Sequence, residues 1–115
     1  MATIKSYTDI PQGFKLKEIL PFESADMYYN PRPSNEIPYV GNANTALLQV
    51  PCWSLAALLD VIPEGLIENY YVPNLQKENG KYSIAYGDDE LLCIADNPVD
   101  ACVAMIEKLH EQNLL

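Results

Sequence analysis

The chain has 115 residues, 49% of them hydrophobic, and carries seven Lys and Arg against sixteen Asp and Glu, for a formal net charge of −9. That length and composition suffice for a single domain, residues 1–115, with a real core and no need of disulfide staples. No stretch approaches the roughly 20 successive apolar residues of a transmembrane helix, and the charge repels phosphate backbones, which disfavours an ordinary nucleic-acid binder.

The opening residues Met1 to Ile10 carry no apolar leader segment, so an intracellular protein is the expectation, with a secreted product stripped of its signal as the alternative that would begin in the same way. Thr8 to Leu20 reads as a short helix with Thr8 as its cap and Pro11 tolerated in the first turn. Its apolar positions are Ile10, Phe14, Leu16, Ile19 and Leu20; Gly13 weakens it by about 1 kcal/mol relative to alanine, and Pro21 ends it. Ala25–Tyr29 is strand-like. It runs into Asn30–Asn44, where Pro31, Pro33 and Pro38 predict a long surface loop and one of two places to look for a partner.

Thr45–Val50 reads as a further strand before Pro51. Ser54 then caps a helix over Leu55–Ile62, with Trp53 and Leu58 at the spacing of a hydrophobic staple and Pro63 after it. Because this helix is nearly all apolar, burial on most sides is expected. Leu66–Val72 reads as a strand, and Asn79-Gly80 is a strong hairpin signal. Lys81–Gly87 and Leu91–Ala95 follow as strands around a turn at Gly87–Glu90. Alternation puts Tyr82, Ile84 and Tyr86 on one face of the meander and Ser83 and Ala85 on the other.

Asn97 as cap, Pro98 in the first helical position and Asp100 near the positive end of the dipole start a helix that runs to Leu114. Val99, Cys102, Val103, Ile106, Leu109 and His110 recur at three- and four-residue spacing and form its apolar face. The predicted fold class is therefore α+β: a small antiparallel sheet, a meander of three to five strands, covered on one face by the C-terminal helix and the short Ser54-capped helix.

The candidate chemistry is thin. Cys52, Cys93 and Cys102 are an odd number at wide spacing in apolar stretches, which fits packing cysteines in a reducing, cytoplasmic setting. Apolar neighbourhoods raise a thiol pKa and argue against a nucleophile. His110 is the only histidine; eight helical residues put its backbone about 12 Å from that of Cys102, too far to share a metal. Asp88, Asp89, Glu90 and Asp96 flank one short strand without the spacing of a calcium loop. They read as a solvated turn or as a docking patch for a basic partner, since residues 60–115 hold three Lys and Arg against eleven Asp and Glu. Of the adjacent pairs Tyr28-Tyr29 and Tyr70-Tyr71, one ring each should pack inward and the other outward.

The segments Thr3–Thr8, Ser24–Tyr29, Pro51–Leu59 and Asn97–His110 resemble a family of small uncharacterised proteins encoded by anaerobic gut bacteria, often within prophage-like or mobile regions. The resemblance covers most of the chain apart from the proline-rich loop and the first hairpin turn. It implies no activity, cofactor or catalytic residue.

The expectation is thus a non-enzymatic protein-interaction module of a mobile element or prophage, with a protein partner, no cofactor, no metal, no catalytic residue, no direct nucleic-acid contact and no membrane. Its partner-binding residues would be Asp88, Asp89, Glu90 and Asp96, or the loop at 30–44. Two alternatives stand beside it. One is an enzyme or small-molecule binder with a tyrosine-lined pocket under that loop, and the other an acidic antitoxin-like or DNA-mimic inhibitor.

Overall fold

The computed structural model describes residues 4–31, 37–44, 47–64, 72–87 and 91–115. The protein is α+β, with three α-helices and two three-stranded antiparallel sheets among the described residues. By contacts it divides into two compact units, one of them Ser6–Val61 and the other built mainly on Ile62–Leu115.

In the Ser6–Val61 unit the first helix, α1, spans Ile10–Leu16 and is capped by Asp9 rather than Thr8. Asp9 Oδ1 accepts from the Gln12 amide at 2.9 Å, and Gln12 Oε1 accepts from the Asp9 amide at 3.0 Å. An anionic acceptor suits the positive helix end better than a hydroxyl. Thr8 is instead fully buried, its hydroxyl accepting from the Trp53 amide at 3.0 Å and its carbonyl accepting from the Tyr29 hydroxyl at 2.6 Å.

Strands β1 (Met27–Tyr29), β2 (Tyr39–Val40) and β3 (Val50–Cys52) form a sheet with β1 in the middle. β2 lies within the segment expected to be loop. Its pairing of Met27 with Val40 and Tyr28 with Tyr39, and the stacking of those two tyrosine rings at 5.7 Å, supply what the prolines around it do not. The strand expected over Thr45–Val50 begins only at Val50, because Leu48 adopts a left-handed φ of 58° that no strand accommodates; Thr45 and Ala46 lie outside the described residues. Pro51 sits inside β3 because that strand is an edge.

The second helix, α2 (Leu55–Val61), starts where expected, with Ser54 Oγ accepting from the Ala57 amide at 3.2 Å. Expected to be buried on most sides, it buries only Leu58, since two turns offer the core a single stripe. Leu16, Leu20, Ala25, Tyr29, Val50, Cys52, Trp53 and Leu58 are among the buried apolar residues around which this unit packs.

The other unit contains β4 (Pro73–Glu78), β5 (Lys81–Tyr86) and β6 (Leu91–Ala95) in meander order. Asn79 and Gly80 have φ of 53° and 76°, the double left-handed geometry of a two-residue hairpin. Such a turn requires its flanking strands to abut it, and Glu78 pairs with Lys81. The strand that enters the turn is therefore 73–78; of the strand expected over Leu66–Val72, residues 66–71 lie outside the described residues and Val72 immediately precedes β4.

Helix α3 (Pro98–Glu111) packs on β5 and β6. Asn97 Oδ1 accepts from the Asp100 amide at 2.8 Å, as its sequence position predicts. The helix stops at Glu111 rather than Leu114, with Asn113 at a left-handed φ of 58°. Ala101 and Met105 join the expected apolar face in burial. His110 does not: it is exposed in the last turn of the helix.

Candidate functional site

Gly13 is the residue that brings α1 onto β3. A Cβ there would come within 2.5 Å of the Pro51 carbonyl oxygen and 2.8 Å of Val50 Cγ1, so only glycine permits this approach. With Gly13 and Leu16 turned inward, Phe14 lies to one side of the buried stripe and remains 49% exposed. Lys17, one turn on, holds its ammonium 4.7 Å from the centre of the Phe14 ring. After Pro21 a 3-10 turn over Phe22–Ser24 brings in Phe22 and is held by Ser24 Oγ, which donates to the Pro21 carbonyl at 2.6 Å and accepts from Trp53 Nε1 at 3.0 Å.

Opposite these lies the turn that enters β3. The Gln49 side chain is engaged at both ends: Oε1 accepts from the Asn44 amide at 2.8 Å, and Nε2 donates to Asn30 Oδ1 at 2.9 Å. Its own amide returns to the Asn44 carbonyl at 3.3 Å. This clamp leaves Leu48 in left-handed backbone with its side chain 75% exposed. Left-handed geometry costs a leucine roughly 1–2 kcal/mol, and an exposed apolar side chain returns none of it.

Together Phe14, Lys17, Phe22, Leu48, Gln49 and Val50 line an open, mainly apolar groove of about 280 Å³. Lys17 is its cation, and no ion pair joins it to a carboxylate among the described residues. Such an arrangement can bind an apolar group beside an anion. No cysteine, serine, histidine or carboxylate is among these lining side chains.

The residues singled out in the sequence are not gathered here. Asp88, Asp89 and Glu90 lie outside the described residues, and Asp96 is an exposed carboxylate paired with Lys81 on the meander. Of the proline-rich segment, residues 37–44 are described and 32–36 are not. Ile37, Tyr39 and Val40 there are exposed, whereas no tyrosine lines the groove among the described residues. Tyr29 packs inward and its neighbour Tyr28 stacks on Tyr39; Tyr70 and Tyr71 lie outside the described residues.

All three described thiols are free and their pKa values are raised by burial. Cys102 is pushed up to about 11. Cys52 rises despite hydrogen bonds that favour its thiolate, and Cys93 rises despite the opposing charge of Lys108. Burial thus favours the neutral thiol at each of the three. Among the described residues no three His, Cys, Asp or Glu side chains gather as metal ligands, and no helix is long and apolar enough to cross a membrane.

Phe14 is one of the apolar positions expected to share a face of the first helix, and it lies outside the buried stripe. A signal against that expectation was present: Gly13, Leu16 and Leu20 recur at three- and four-residue spacing, and Phe14 is turned about 100° from Gly13. Leu48 and Gln49 carried no such signal, because their roles depend on Asn30 and on a φ that sequence does not display. No protein-family model, curated protein or solved structure matches the chain.

Proposed function

We propose that the chain is a non-enzymatic protein-interaction module and that the groove on the Ser6–Val61 unit is its contact surface. The observation that carries this reading is Leu48: a bulky side chain held outward in strained backbone by a clamped amide, beside a half-exposed phenylalanine. Strain of this kind is maintained where neighbouring structure enforces it, and such positions cluster at functional sites: active sites, ligand clamps and switch regions. The raised thiol pKa values further support a binding role over a nucleophilic one. The groove is open rather than enclosed, which favours contact with a side chain of a partner over engulfment of a whole metabolite. The mobile-element setting is supported by the sequence resemblance alone.

Photo-crosslinking tests this directly. A benzophenone amino acid is introduced at position 14, at position 48 and, as a control, at the exposed Ile94 of β6. The reading expects one and the same protein to be captured from positions 14 and 48 in host lysate and absent from position 94. Capture of nothing above background, or of the same proteins from all three positions, would remove it.

A further inference from the structure

The groove's lining specifies more than apolar contact. Three of its walls, Phe14, Phe22 and Leu48, are large and apolar, and two of these are substantially in water. Of its polar side chains, Gln49 spends its amide on Asn30 and Asn44, so it sets the shape of the rim. Lys17 is left as the group that reads charge. Its ammonium is oriented by the Phe14 ring, and its side chain is partly covered, so a carboxylate brought to it would interact in less than full solvent.

We infer that this groove takes a peptide segment of a partner protein in which a large aromatic or aliphatic residue sits one or two positions from an Asp or Glu. The apolar side chain fills the space between Phe14 and Leu48, and the acidic one meets Lys17. The occupant follows from charge complementarity: the groove contributes a cation that lacks an ion-pair partner among the described residues, and the apolar walls contribute no competing anion. Covering Leu48 removes from water the side chain that its backbone strain holds out, so binding energy is drawn from a group the free protein leaves unsatisfied. The surface is small, and affinity for an isolated peptide should be modest, dominated by the one apolar anchor.

This inference rests on the protein-interaction reading, and its test separates the two. A phage-displayed library of random dodecapeptides is panned on the full chain, and enriched sequences are synthesised with a fluorophore for polarisation titration. The inference expects enrichment of peptides with an apolar residue within two positions of Asp or Glu. Lys17→Glu should weaken them at least tenfold, and replacing their acid by Lys should restore binding to the Lys17→Glu protein. Leu48→Asn should weaken them similarly with no fall in melting temperature, because asparagine tolerates left-handed backbone; loss of binding is then not loss of fold.

Enriched peptides without an acid, or indifferent to Lys17→Glu, would overturn the inference while leaving the protein-interaction reading standing on the crosslinking result. Dodecanoate displacing the peptides and binding the unmodified chain more tightly would overturn it in favour of a small amphipathic anion. An absence of any enriched peptide also overturns it, and combined with an empty crosslinking experiment removes the protein-interaction reading as well.

Discussion

An alanine in place of a helical glycine ordinarily gains about 1 kcal/mol, yet at position 13 the added methyl would press on the Pro51 carbonyl and on Val50 Cγ1. The backbone oxygen cannot move without moving β3. Gly13→Ala is therefore expected to destabilise the protein by about 1–3 kcal/mol, read as a lowered urea midpoint; an unchanged or raised midpoint would mean that α1 does not lie on β3 as described. Leu48 inverts the ordinary rule in the other direction. Its side chain is in solvent and its backbone is left-handed, so removing it loses little packing and relieves strain. Leu48→Asn is expected to raise stability by about 1 kcal/mol, seen as a higher midpoint in the same titration, with the cost falling on binding.

At the level of the elements, α3 owes its start to three neighbouring residues. Asn97 accepts the Asp100 amide and donates from Nδ2 to Asp100 Oδ2 at 2.8 Å, while Pro98 forfeits only an amide that has no helical partner. Asn97→Ala leaves the Asp100 amide without its acceptor and is expected to cost about 1 kcal/mol. Hydrogen exchange should locate that loss in the first turn of α3 as faster exchange at Asp100, with the strands of the meander unaffected at mild destabilisation. The meander itself is held in register by Asn79-Gly80, whose paired left-handed residues match the twist of the flanking strands. Between β1 and β3 no such device is found among the described residues. Their order comes from cross-strand pairing and from Thr8, Tyr29 and Cys52, which converge in the core through hydrogen bonds to one carbonyl.

For the molecule as a whole, the buried titratable groups set an alkaline limit. Burial pushes the Tyr86 phenol from 10 up to about 12 and the Cys102 thiol from 9 up to about 11, and it raises Tyr29 and Cys52 in the same direction. A raised folded-state pKa means that the folded protein retains a proton the unfolded chain has already released. Stability is therefore fully present below the unfolded values and declines as pH rises through the folded ones. Circular dichroism at 25 °C should show loss of stability beginning near pH 9 and continuing to about pH 12. Tyr86→Phe should flatten the part between 10 and 12, at the expense of the 2.5 Å hydrogen bond from the Tyr86 hydroxyl to the Pro63 carbonyl. A stability constant up to pH 12 would contradict the burial described for these groups.

Much of the second half was legible from residues alone. The Asn79-Gly80 turn, strand 91–95, the Asn97 cap and the α+β class are all local codes: a φ requirement, a two-residue alternation, a side chain placed to accept one particular amide. Such codes are complete within about ten residues, and tertiary contacts here reinforce them. The first half is written differently. Whether Gly13 weakens a helix or allows it to dock, whether Thr8 or Asp9 caps it, and whether Tyr39–Val40 is loop or strand each depend on partners far along the chain, at Pro51, Trp53 and Met27–Tyr28. The groove belongs to that second category. It exists because a glycine lets α1 close on β3 and a glutamine bridges Asn30 and Asn44, and contacts between residues remote in sequence leave no periodic trace in the order of the amino acids.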